Sequence, residues 1–145
     1  MFYGEYKQKI DLKGRIQLPR AFIEALERSS LKGVMLTRGL DQCIFALTQE
    51  EWEAQESYFS NLPLTQADVR QFNRMFFSGA ISVTPDVQGK IALPPSLRDY
   101  AGIAHEAVIV GVSNRIELWN VQRWQSVVAQ GEVAFEQAAQ RISAL

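Results

Sequence analysis

A nine-residue block, DLKGRIQLP at 11–19, returns 75 residues later as DVQGKIALP at 86–94, with Asp, Gly, Ile, Leu and Pro kept in place. The likeness continues downstream. VMLTRGLDQCIFALTQEEW at 34–52 runs parallel to VIVGVSNRIELWNVQRW at 108–124, which sets Trp52 against Trp124 at a spacing of 72. A chain that repeats itself in this way builds the same small unit twice. A unit of roughly seventy residues is below the size at which one core is comfortably stable, so the two halves must close on each other.

The local pattern gives the content of each unit. YKQKID and RIQLP alternate apolar and polar residues on either side of a Leu-Lys-Gly turn, which reads as a β-hairpin. Asp11 caps that turn with its side chain, and Gly14 supplies the positive φ of a tight reversal. Pro19 ends the strand. RAFIEALERS follows as a short helix with Phe22, Ile23 and Leu26 on one side, then GVMLTR and CIFAL as two more strands. The next helix opens with Thr48 and Glu51 at capping-box spacing and buries Trp52. Each half therefore reads β-β-α-β-β-α. The expected class is mainly β with α (α+β), two tandem halves forming a pseudo-twofold β-barrel in which each half covers the other's edge strands. The expected units are 5–52, a linking helix at 64–79 with Thr65 and Asp68 at cap spacing and Gly79 as its stop, a second half at 81–124, and a C-terminal helix at 125–145, bent or weakened at Gly131. The run Met75-Phe76-Phe77 shows three large side chains in succession, more than one core can take from a helix, and leans towards self-association.

Composition excludes several classes. No window reaches the roughly twenty apolar residues a membrane span needs, and MFYGEYKQKID has no apolar leader core, which places the chain in the cytoplasm. One cysteine, Cys43, and one histidine, His105, leave no internal disulfide and no Cys/His metal cluster. Cys43 beside IFAL reads as a small buried hydrophobe and His105 as a loop or strand-edge residue. No phosphate loop, nucleophile elbow or marked carboxylate pair is present, so the chain reads as no enzyme, with no cofactor and no metal. The net charge of −1 argues against indiscriminate coating of nucleic acid. Its distribution is uneven, however: Lys7, Lys9, Lys13, Arg15 and Arg20 stand against Asp11 alone, whereas Glu50, Glu51, Glu53 and Glu56 crowd a later helix.

Nearly end to end, the chain resembles the MraZ family of bacterial transcriptional regulators, built from two tandem AbrB-like (SpoVT-AbrB) units. The likeness is carried by MFYGEY at the start, DLKGR at 11–15, LPR at 18–20, LTRGLDQC at 36–43, EEW at 50–52, GKIALPPSLRDYAG at 89–102 and IELW at 116–119. The resemblance implies a sequence-specific binder of double-stranded DNA. It further implies a homo-oligomeric ring that works at the nucleoid on short direct repeats before its own division and cell-wall gene cluster. The family motif D-x-x-x-R falls on Asp11 with Arg15, and on Asp86 with position 90, where this chain has lysine. Lys90 keeps the charge but lacks the bidentate fork of arginine.

Within that picture Asp11, Gly14, Asp86 and Gly89 are turn-forming residues, and Arg15, Lys13, Lys90, Lys9 and Arg20 are the candidate DNA contacts. Arg15 either pairs with Asp11 or reaches O6 and N7 of a guanine, a contact worth about 1–3 kcal/mol of discrimination. Lys13, at the tip, has no structural duty and is assigned to phosphate. Arg74, Arg98, Arg115 and Arg123 read as surface or ion-pair residues. The alternative is a structural or protein-interaction ring without specific DNA binding, for which the acidic balance and the Met-Phe-Phe run speak.

Overall fold

The computed structural model describes residues 1–29 and 33–142. Expectations on 30–32 and 143–145, the end of the expected C-terminal helix included, lie outside the described residues. The first half runs β1 (Glu5–Lys9), β2 (Arg15–Gln17), α1 (Arg20–Glu27), β3 (Val34–Arg38), β4 (Ile44–Thr48) and α2 (Gln49–Ser60). After α3 (Ala67–Ser78) the same order returns as β5 (Ile81–Val83), β6 (Lys90–Ala92), α4 (Pro95–Ala101), β7 (Glu106–Val112), β8 (Arg115–Trp119) and α5 (Val121–Ile142). The α+β class and the doubled β-β-α-β-β-α order are thus as the repeat requires.

The strand pairing differs from a pair of local hairpins. β1 and β2 meet only at the bridge between Ile10 and Ile16. Their ladders are made with the other half: β1 pairs with β7, β5 pairs with β3, and β2 pairs with β6, all antiparallel. Nor do the ladders close into the expected barrel. They form a six-stranded sheet, β1-β7-β8-β4-β3-β5, and a separate two-stranded ribbon, β2-β6. The physical reason is edge coverage, since a strand of three to five residues gains more backbone partners from the other half than from its own neighbour across a tight turn. The sheet order reads the same from either end once matching strands are exchanged. Ile16 faces Ile91, and Phe45 faces Glu117, so a pseudo-twofold axis passes between residues that match in the repeat.

The main core fills the space between one face of the six-stranded sheet and the ribbon with its helices. Leu36, Ile44, Ile109 and Leu118 come from the sheet, Ile16, Leu18, Ile91 and Leu93 from the ribbon strands and the prolines' approach, and Phe22 and Leu97 from α1 and α4. On the opposite face two satellite clusters form. Trp119, Val108, Val110, Cys43 and Val121 pack in one, and Leu47, Trp52 and Phe76 in the other. Cys43 is buried, as a small hydrophobe, and burial pushes its thiol well above the ordinary range. His105 is exposed in the bend before β7.

Local chemistry explains most boundaries. Thr48 Oγ1 accepts the N–H of Glu51 at 3.1 Å and caps α2. Thr65 does not cap α3: the helix opens one residue later, after Gln66, whose N–H is turned back onto the carbonyl of Pro63. α5 runs unbroken through Gly131. The Met-Phe-Phe run is better absorbed than its composition suggests, because Phe76 stacks on Trp52 at 5.4 Å and Phe77 meets the same ring edge-on. Only Met75 is left exposed. Among the described residues, no helix is long and apolar enough to cross a membrane.

The N-terminal segment crosses β7 so closely that a Cβ at Gly111 would stand 2.3 Å from the backbone nitrogen of Tyr3. Gly111→Ala should therefore destabilise the fold by about 1–3 kcal/mol, the scale of overpacking a tight site, read as a lower urea midpoint at unchanged slope.

Candidate nucleic-acid interface

Two turns of identical construction flank the ribbon, one leading into each strand: the Gly14 carbonyl accepts the N–H of Leu93 at one end and the Gly89 carbonyl that of Leu18 at the other. In the first, Asp11 Oδ1 accepts the N–H groups of Lys13 and Arg15, both at 2.9 Å. In the second, Asp86 Oδ1 accepts those of Gln88 at 2.9 Å and Lys90 at 3.0 Å. Backbone bonds close both loops, Gly14 N–H to Asp11 and Gly89 N–H to Asp86. Gly14 and Gly89 take φ of 77° and 82°, where a side chain would be strained. An aspartate suits the first position because its short side chain reaches the N–H groups two and four residues on within its own turn.

The antiparallel ribbon brings the second oxygens of the two aspartates towards each other. Arg15 lies between them: its Nε donates to Asp11 Oδ2 at 3.2 Å and its Nη1 to Asp86 Oδ2 at 3.1 Å. Lys90 answers from the other half, its Nζ 3.6 Å from Asp11 Oδ2. Two carboxylates and two cations thus form one half-buried cluster across the axis, each side chain about a third exposed or less. Of the two alternatives for Arg15, the ion pair with Asp11 is present, and Arg15 also pairs with an aspartate from the other half. The Arg15 N–H, more than any other group, holds the Asp11 carboxyl down to about 2, with Lys13 N–H and the Arg15 side chain adding to it against partial desolvation. Asp86 is likewise lowered, first by the Lys90 N–H, then by that of Gln88 and by the charges of Arg15 and Lys90.

The other predicted contacts lie around this cluster. Lys13 is exposed at the first tip, where Gln88 stands in the second. Lys9 is exposed at the end of β1, opposite Glu106 in the ladder. Arg20 lies at the start of α1, almost wholly exposed, 3.4 Å from Glu24. Lys7 leans on Glu106 at 3.7 Å. Three residues here were not anticipated. Leu12 and Val87 occupy matching positions at the two tips and are fully exposed. Arg98, read from sequence as a surface residue, is half-buried behind the first turn, its guanidinium within 3.4 Å of where a Cβ of Gly14 would be. The matching neighbour of Gly89 is Ile23. The repeat held that signal, because Ile23 and Arg98 are also 75 residues apart. The first turn is the more basic of the two, carrying Lys13, Arg15 and Arg98 where the second has Gln88, Lys90 and Ile23.

Among the described residues no group of three or more His, Cys, Asp or Glu side chains is placed to hold a metal ion. What the arrangement offers is a rigid pair of protruding turns with cations at their base and at one tip.

Comparison with known proteins agrees with the repeat. Residues 1–75 and 76–144 each match the family described as "MraZ protein, putative antitoxin-like". Over 145 residues the chain is 42% identical to the protein named transcriptional regulator MraZ of Acetivibrio thermocellus, covering 100% of this chain and 99% of that one. It is 45% identical over 142 residues to the transcriptional regulator MraZ of Desulforamulus reducens, covering 98% and 97% of the two chains. Against that of Natranaerobius thermophilus it is 43% identical over 142 residues, covering 98% and 96%.

The lowered aspartates give an acid signature. A carboxyl held below its ordinary 3.8 in the folded state contributes stability that is full above that value and is lost as pH falls towards about 2. Thermal midpoints should therefore drop between pH 4 and 2. Asp11→Asn, which keeps an acceptor for the turn but not the charge, should show a shallower drop across the same window.

Proposed function

The chain belongs to the MraZ family, and from that premise we propose that it is a DNA-binding transcriptional regulator. It acts in the cytoplasm, at the nucleoid, as a homo-oligomeric ring on short direct repeats in the promoter of its own division and cell-wall gene cluster. The observation that carries this reading is the pair of protruding turns with Lys13 at one tip and the Arg15–Lys90 cluster at the base. A turn locked by backbone bonds loses little entropy on docking, and its cations are held in place before a duplex arrives.

Roles follow from position. Lys13 neutralises phosphate, with Lys9 and Arg20 flanking it. Arg15 is held in a plane by two carboxylates, and its fork meets a guanine edge by giving up its single bond to Asp86 while Asp11 continues to orient it. Lys90 carries charge without a fork and serves phosphate. One subunit offers few cations, so affinity comes from valence: identical turns on a ring meet successive repeats at high effective concentration.

A second reading has its own support. The four-residue cluster is neutral as a whole, and the fully exposed Leu12 and Val87 at the tips suit an apolar partner surface. A ring that binds protein and no specific DNA would use the same turns. A gel shift with the DNA upstream of the gene against a scrambled duplex separates the two, since the second reading gives equal, weak binding to both.

The repeat supplies substitutions that the turn is known to accept from its own second copy. Arg15→Lys should reduce the preference for cognate over scrambled DNA by the equivalent of about 1–3 kcal/mol, the worth of one bidentate base contact. Lys13→Gln should weaken both duplexes by similar factors and make the salt dependence shallower by about 0.9 in log K per log salt for each subunit on DNA.

A further inference from the structure

The first half of the chain contains the remedy for a problem that the second half leaves open. α2 leaves the sheet at Trp52 and its apolar stripe is covered by α3: Phe59 meets Phe72 at 4.5 Å and Trp52 stacks on Phe76 at 5.4 Å. α5 is the repeat-related helix, leaving the sheet at Trp124, which packs on Trp119 at 5.6 Å. Among the described residues no second helix packs along its outer half. From Ala129 to Ile142 every residue but Ala139 is exposed, with Val133 at 85%, Phe135 at 73% and Ile142 at 67%. A free helix of that length is marginal in water, and Gly131, with nothing within 4 Å of a Cβ, weakens it further.

The free end is patterned for a partner. Trp124, Val128, Gly131, Phe135, Ala138 and Ile142 recur at alternating spacings of four and three, a heptad seam. The seam begins on the protein's own sheet and continues past it, so its outer half is aimed at another body. α5 is one continuous helix anchored at Val121 and Trp124 and cannot fold back to cover itself.

A matching seat exists on the other half of the molecule. A groove of about 450 Å³ has an aromatic floor of Phe45, Phe59, Phe72 and Phe76 with Leu47. Asp41 and Glu51 also line it, as does Arg115, which is paired with Glu117 at 2.8 Å. The free end of α5 brings Phe135 and Ile142 for the floor and Arg141 for the carboxylates of Asp41 and Glu51. Both knob and seat belong to this chain, yet they lie on different elements of it.

We propose that the free end of α5 docks in the α2–α3 groove of a second copy, and that this head-to-tail contact builds the ring. The contact is heterologous, so it repeats from copy to copy until the rotation closes. The inference rests on the assembly part of the proposed function and goes further by assigning the surfaces.

The test uses the full chain. Wild-type mass by light scattering at micromolar concentration should be a multiple of 16.4 kDa. Phe135→Glu, at a site exposed in the monomer, should keep the circular dichroism of the sheet and raise the dissociation concentration by about tenfold or more, the effect of losing one buried aromatic anchor. Ala134→Cys combined with Leu40→Cys at the groove rim should give, on mild oxidation, a ladder of covalent dimers, trimers and larger species; Cys43 is buried and silent. A monomeric wild type would overturn the ring and this contact together. An oligomer that survives Phe135→Glu, or one in which Ala134→Cys alone crosslinks into dimers and the pair gives no ladder, would keep the ring and overturn the assignment of its surfaces.

Discussion

Everything in this molecule follows from the exchange of strand partners about the pseudo-twofold axis. Each half makes one ladder of its own, β3–β4 and β7–β8, but leaves its other strands short of partners: β2 and β6 are three residues each, and β1 and β5 touch their neighbours in sequence through a single bridge or less. Paired across the axis, the same strands form a ribbon and a six-stranded sheet with one core between them. The two halves are therefore one folding unit. A change that loosens the ribbon at Ile16 or Ile91 removes support from both turns at once, because both side chains lie in the shared core.

The same exchange creates the charged cluster. Asp11 and Asp86 each solve a local problem, closing a tight turn with one oxygen. The axis then delivers their remaining oxygens to one place, where two carboxylates without cations would repel each other. Arg15 and Lys90 neutralise them. The cluster is thus a structural joint between the halves and also the base of the protruding turns, so the candidate interface is as rigid as the ribbon beneath it. Its asymmetry, arginine on one side and lysine on the other, with Arg98 matched by Ile23, makes the two turns unequal although their backbones are alike.

Burial separates the two ends of the repeat. In the first half the helix after the sheet is completed by α3, which absorbs Phe72, Phe76 and Phe77 and leaves only Met75 of that run in solvent. In the second half no such cover is present among the described residues, and the apolar seam of the corresponding helix stands exposed. The surplus apolar surface expected at Met75-Phe76-Phe77 is mostly covered there, whereas large apolar side chains stand exposed on α5 and at the tips of the turns, where Leu12 and Val87 are found.

Much was legible in the chain itself. The repeat fixed the number and order of elements. Asp11 with Gly14, and Asp86 with Gly89, specified the turns through groups that act within four residues of one another, and Thr48 specified a helix start in the same way. The alternation in the strands named the core face. What the chain could not name was partners, because ladder bonds are made by backbone groups that are the same in every residue, and an extended strand carries no mark of which other strand it will meet. The choice of β7 for β1 and β3 for β5, the open sheet in place of a barrel, the bond from Arg15 to an aspartate 71 residues away and the position of Arg98 behind the first turn were settled by tertiary packing. Local chemistry determined what each segment became; burial of edges and charges shared between the halves determined where each segment went.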